Sequence, residues 1–242
     1  MKNQLWQIPI SCEFNLHKSQ QLDKRLRQIA EENNFKQNSC IKLASSLAAE
    51  DMVITHSILT QKLDINIFVL NTGRLHRETL ELIQDIKKIY NYEVEVYEPK
   101  QELVQEYINT KGENAFYESL DLRKECCYIR KVEPLSRALQ NANAWITGQR
   151  QAQSATRAEL EFSQIDTAHN NIIKYNPIFD WNDDDVWAYI KHHNVILNKL
   201  HLQGYPSIGC EPCTRPIRMH ENLREGRWWW EDAQNKECGL HK

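Results

Sequence analysis

The 242 residues predict an α/β fold, a parallel sheet with helices on both faces. Short apolar runs of strand length alternate with longer stretches whose apolar residues recur at helical spacing. The runs end in polar loops of Ser, Asn, Thr and Gly that lead into helices rather than into tight hairpin turns. The chain is 41% apolar, enough for one large core, and has no internal repeat or low-complexity linker.

Along the chain, Leu22, Leu26, Ile29 and Ala30 share one helical stripe, and residues 40–44 (CIKLA) then read as a short buried strand. A turn through Ser45 and Ser46 opens a second helix carrying Met52, Val53, Ile58 and Leu59. Residues 65–70 (INIFVL) form a buried strand that runs into the loop NTGR. A helix over 78–90 buries Leu82, Ile83, Ile86 and Ile89, and a strand follows at 94–97. A helix after Cys127, strands at 144–148 and 172–175, and a helix through Val186, Trp187 and Ile190 continue the alternation. Ligands of such sheets bind beyond the carboxyl ends of the strands, so Ser45, Ser46, Asn71, Thr72, Gly73 and Arg150 are expected at one rim. From about Asn194 the pattern turns irregular and rich in Gly, Pro, Arg, Cys and Trp.

Thirty Lys and Arg against thirty-three Asp and Glu give a formal charge of −3, which argues against a nucleic-acid partner held by bulk positive charge. No apolar run approaches the roughly 18 residues of a membrane span, and the opening MKNQLWQIPI is too short in apolar residues for a secretory signal. Seven cysteines, an odd number, fit poorly with an oxidising compartment. The expectation is a cytoplasmic protein.

Four motifs carry chemistry. The turn SSLAAED (45–51) sets hydroxyls at a helix N-terminus, as an anion cradle or as ordinary helix capping. The segment GQRQAQSATR (148–157) follows a strand, and Arg150 and Arg157 suit a phosphate or sulfate clamp or else a solvated turn. Cys126 and Cys127 with Cys210 and Cys213 supply four thiolates from two loops, suited to tetrahedral zinc or to a cubane iron–sulfur cluster. The tandem pair is unusual for structural zinc and favours the cluster, whose negative charge Arg130 and Lys131 would offset. Lastly, LREGRWWWEDAQNKECGLHK ends the chain with Cys238 beside Gly239, a position for a mobile, exposed thiol. Trp228, Trp229 and Trp230 read as packing that holds this tail to the body.

Together these motifs resemble one family, the assimilatory adenylyl-sulfate (APS) and phosphoadenylyl-sulfate (PAPS) reductases. The resemblance runs from about Leu43 onward and is strongest in ECGLH (237–241), CCYIRKVEPL (126–135) and the pairing of QSATR with Cys210 and Cys213. It implies a PP-loop, adenine nucleotide alpha hydrolase-like domain over 1–225 and a tail over 226–242. The tandem cysteines resemble the branch that carries one 4Fe-4S cluster and typically uses APS, with PAPS or dual use as the alternative. Leu47 and Ala48 replace a Phe-Gly or Ser-Gly common in the family, and Asn71 replaces a frequent aspartate.

The resemblance further implies that Cys238 attacks the sulfate sulfur of APS, releases AMP and becomes an S-sulfonate, which thioredoxin or glutaredoxin then resolves to sulfite. Lys131, Arg150, Arg157, Arg224, Arg227 and His241 are the candidate sulfate-binding residues, with Ser45, Ser46, Thr72 and Gly73 on the nucleotide. Sulfate assimilation and cysteine biosynthesis follow as the setting, and the oligomeric state is left open. An ATP-dependent PP-loop iron–sulfur tRNA thiolation enzyme would need an SGG-x-D-S turn and a basic surface, and neither is present. A zinc-binding adaptor would need neither Cys238 nor the arginines.

Overall fold

The computed structural model describes residues 4–10, 12–34, 40–154 and 157–232. Its centre is a six-stranded sheet of β1 (Ile41–Ser45), β2 (Asn66–Leu70), β3 (Glu95–Tyr97), β4 (Ala144–Ile146), β5 (Ser163–Asp166) and β6 (Ile172–Tyr175). The spatial order is β3-β2-β1-β4-β6-β5, and every pairing is parallel except β5 with β6. Strand order reverses between β1 and β4, so the crevice beyond Ser45 and Ile146 is the switch point at which open α/β sheets bind ligands.

Helices cover both faces. On one side α1 (Leu16–Asn34), α2 (Ala49–Gln61), α3 (Arg77–Tyr90) and α7 (Asp183–His193) bury Leu22, Leu26, Met52, Ile58, Ile86 and Val186 against Leu43, Ile67 and Ile146. On the other, α6 (Glu133–Leu139) packs Leu135, Ala138 and Leu139 on Phe68 and Trp145. Each such side chain contributes about 1.5–3 kcal/mol on burial. Local chemistry sets the ends: Asn182 and Asp185 form a reciprocal capping box on α7, whose first turn is acidic and whose last turn holds Lys191, His192 and His193.

The structure departs from the sequence reading in three places. A helix α4 (Gln101–Lys111) and the antiparallel edge strand β5 were not expected. The helix expected after Cys127 begins earlier: α5 (Leu120–Cys127) is capped by Ser119 and contains both cysteines, which therefore stand on a helix and not in a loop. A π turn (Tyr128–Val132) joins α5 to α6 without a break. Residues 226–232 pack into the body: Gly226 O accepts from Arg215 N at 3.0 Å, Trp228 N donates to Cys213 O at 3.0 Å, and the Trp228 ring is buried. The remaining tail, 233–242, with Cys238 and His241, lies outside the described residues. Among the described residues no helix is long and apolar enough to cross a membrane.

Candidate active site

A cavity of ≈ 250 Å³ opens at the switch point. Ser45, Ser46, Thr72, Lys131, Arg150, Arg157, Arg224 and Arg227 all line it, together with Cys210 and Trp228. Phe68, Leu70 and Trp145 provide an apolar wall from the sheet itself. The cavity thus joins an apolar slot to a cationic end, the make-up of a site for a flat ring that carries an anion.

The β1–α2 turn is held by its own side chains. Ser46 donates to Asp51 Oδ2 from both N (2.7 Å) and Oγ (2.6 Å), and Ser45 Oγ accepts from Leu47 N at 3.2 Å. Burial pushes the Asp51 carboxyl up to about 6, against the lowering pull of its Ser46 hydrogen bonds. Leu47 takes a left-handed φ of 61° with its side chain fully buried. Asn71 does not line the cavity: its Nδ2 donates to Glu98 Oε1 at 2.8 Å, where an aspartate would face another carboxylate. Gly73 (φ 70°) also stands outside the lining, and a Cβ there would come within 3.2 Å of Arg130 Nη1.

The two candidate clamp arginines differ. Arg150 is buried, and its Nη2 donates to Glu50 Oε1 and to Asp183 Oδ1, each at 2.7 Å, while Nη1 reaches Trp181 O at 3.3 Å. Burial alone would raise Glu50, but the Arg150 guanidinium and the Gln153 amide overcome it and hold its carboxyl below the usual range. Arg150 therefore braces α2 against the start of α7. Arg157 is half-buried on the cavity wall and donates through Nη1 to Gln153.

Beside the cationic end, Cys127, Cys210, Cys213 and the partly buried Cys126 share one apolar cluster with Phe116 and Trp228. The loop after β2 positions this second pair, since Glu211 N donates to Arg74 O at 2.8 Å and Leu75 bridges Cys210. Thr72 Oγ1 lies 3.3 Å from Cys210 Sγ, and Arg130 Nη1 donates to Thr72 O at 2.7 Å. Burial pushes the Cys126 thiol up to about 11 and the Cys213 thiol up to about 12. Burial also opposes ionisation of Cys210, yet Lys131, the Thr72 hydroxyl, Arg227 and Arg130 outweigh it and bring that thiol below its ordinary value. Among the described residues no three His, Cys, Asp or Glu donors converge as they would around a single metal ion. Three buried thiols and the partly buried Cys126, with cations beside them, nonetheless fit a thiolate-ligated cluster, whose ligating sulfurs stand farther apart than those of one tetrahedral ion.

Several site residues carried no signal in the sequence. Arg123 is fully buried and bonded to Glu231 at 2.9 and 2.8 Å, and the guanidinium carbons of Arg123 and Arg227 each lie 4.7 Å from the Trp228 ring centroid. Lys131 Nζ approaches the same ring at 5.8 Å. Cys12 and Cys40 stand elsewhere, against Asp184 and Asn66.

Residues 41–216 match the phosphoadenosine phosphosulfate reductase domain family. The chain is 56% identical over 224 residues to an adenosine 5'-phosphosulfate reductase of Burkholderia cepacia, covering 93% of this chain and 87% of that protein. Its backbone is similar to a phosphoadenylyl-sulfate reductase of Candida auris solved as a phosphate complex, with a TM-score of 0.63 and 25% identity over 85% of this chain and 100% of that one. An NH3-dependent NAD synthetase of Campylobacter jejuni shares the fold alone, at a TM-score of 0.53 and 15% identity over 80% of each chain. With a cationic switch-point cavity and four gathered thiols in the same chain, these likenesses establish that it belongs to the phosphoadenosine phosphosulfate reductase family.

Proposed function

We propose that this protein reduces adenosine 5'-phosphosulfate to sulfite and AMP in sulfate assimilation, with PAPS or dual APS/PAPS use as the alternative. The observation that carries this reading is that Lys131, Arg157, Arg224 and Arg227 line one cavity whose wall also includes Cys210 of the four-thiol cluster. The relatives named adenosine 5'-phosphosulfate reductase support the choice of APS.

The adenosine lies in the slot between Trp145 and the β1–α2 turn, and the sulfate faces the cations. The thiolate of Cys238 attacks the sulfate sulfur; the bond from that sulfur to the bridging oxygen breaks, and AMP leaves with the electron pair. A negative nucleophile meets a negative sulfate here, so the cations of the cavity supply the stabilisation of the developing charge. One thiolate of thioredoxin or glutaredoxin then attacks Sγ of the resulting S-sulfonate, and sulfite departs with the pair from the broken S–S bond. The second thiol of the reductant resolves the mixed disulfide, so the dithiol is oxidised by two electrons and Cys238 returns as a thiol. Cys126, Cys127, Cys210 and Cys213 would hold one 4Fe-4S cluster, which supplies fixed charge and structure beside the sulfate site. Cytoplasmic location accords with this thiol chemistry.

Intact-mass measurement after mixing the chain with APS and no reductant tests the reading. An SO3 adduct mapped to Cys238 and lost on adding thioredoxin is the expected result, and an unmodified Cys238 with both APS and PAPS overturns it.

A further inference from the structure

We propose that Arg123 and Glu231 form a positioning pair that fixes the root of the Cys238-bearing tail against the four-cysteine cluster. The inference rests on the S-sulfonate reading above.

Arg123 stands on α5 one turn before Cys127, which places both on one helix face. Its guanidinium is hydrogen-bonded to the Cys127 sulfur, lies 4.7 Å from the Trp228 ring centroid, and forks onto both carboxylate oxygens of Glu231 at 2.9 and 2.8 Å. The side chains are 0% and 8% exposed, and 108 positions of sequence separate them. Glu231 closes the tryptophan turn, donating from N to Trp228 O at 2.9 Å.

Packing alone does not call for this pair. Burying two charges costs free energy, and apolar residues of similar volume commonly serve a core as well. The segment is already tethered by Trp228 N to Cys213 O and by Gly226 O to Arg215 N. What the fork adds is a single orientation, because a planar bidentate contact tolerates little rotation. Cys238 is seven positions beyond Glu231, a span of at most about 25 Å at about 3.6 Å per residue. Fixing Glu231 therefore sets the origin of every path by which that thiol reaches the cavity.

The test uses the full-length, metal-loaded chain and three changes: Glu231→Gln, Arg123→Lys and the apolar pair Arg123→Met with Glu231→Leu. Four quantities are read: the single-turnover rate of SO3 adduct formation at Cys238 under saturating APS, the AMP dissociation constant, the iron content, and the rate of Cys238 alkylation by iodoacetamide. Adduct formation is expected to fall about tenfold or more in the apolar pair and less in Arg123→Lys, the scale set by misplacing a reacting group. AMP affinity and alkylation are expected to stay at parental values, since neither Arg123 nor Glu231 lines the cavity, and iron content is expected to stay parental in Glu231→Gln, which leaves the Arg123 contact to Cys127 in place. Adduct formation at the parental rate in the apolar pair overturns the positioning role, even if Glu231→Gln fails to fold. A parental chain that forms no adduct at all overturns the S-sulfonate reading instead.

Discussion

Gly209 makes room for Arg227: a Cβ on Gly209 would stand 2.4 Å from Nη2 and 2.6 Å from Cζ of that guanidinium. Arg227 lines the cavity and donates through Nη1 to Ile208 O at 3.0 Å. Gly209→Ala therefore pushes aside the end of a long side chain at little cost to stability. Loss of one charge-assisted contact, about 1.5–3 kcal/mol, predicts a fall of roughly 10- to 100-fold in kcat/KM for APS with the urea midpoint near parental. Unchanged steady-state kinetics would remove Arg227 from the site.

Arg150 and Arg157 are expected to separate in opposite ways. Arg150→Met leaves Glu50 and Asp183 without their buried partner, and about 3–5 kcal/mol of stability should be lost in urea unfolding. Arg157→Met should leave unfolding within about 1 kcal/mol of parental and lower APS turnover. The reverse pattern would make Arg150 the anion ligand and Arg157 the brace.

Lys174 sits within β6, buried, with its Nζ 5.4 Å from the Trp145 ring centroid. Burial first, and Arg157 beside it, pull its ammonium down to about 8 despite Asp166. The folded chain thus sheds this proton before the unfolded one. The penalty is full below pH 8 and is relieved as pH rises from about 8 towards the unfolded value near 10.5, an effect on the order of 3 kcal/mol. Lys174→Met should be more stable than the parent at pH 7 and should flatten the rise between pH 8 and 10.5. Parallel stability curves for the two proteins would show that Lys174 keeps its ordinary titration.

Anaerobically purified protein should contain about four iron and four sulfide per chain, with broad visible absorbance. Cys213→Ser should reduce all three and lower the thermal midpoint by several degrees, as expected when a ligated group ties two distant segments. One zinc per chain and no colour would replace the cluster with a structural ion.

The interior strands were legible because β1, β2 and β4 are largely buried and mostly apolar, Lys42 of β1 apart. β5 was not: SQID holds a single aliphatic side chain, Ile165, which is exposed on the sheet edge. The thiol set was legible from ligand chemistry alone, whereas its helical setting was hidden because the periodicity changes phase at the π turn. The bracing contacts of Arg150 were hidden for a physical reason: its partners Glu50 and Asp183 are 100 and 33 positions away, so local sequence shows an arginine beside a polar loop and nothing of what neutralises it.

The π turn at Tyr128–Val132 also works as a ruler. Each residue of an α-helix advances the next by about 100°, so one added or deleted position between Cys127 and Pro134 would swing the thiol-bearing half by that angle relative to the half seated on the sheet. Lys131 would then be aimed away from the cavity, or the cysteine pair away from Cys210 and Cys213. The interval from Cys127 to Pro134 should be intolerant of any change in length, even where its individual side chains are not.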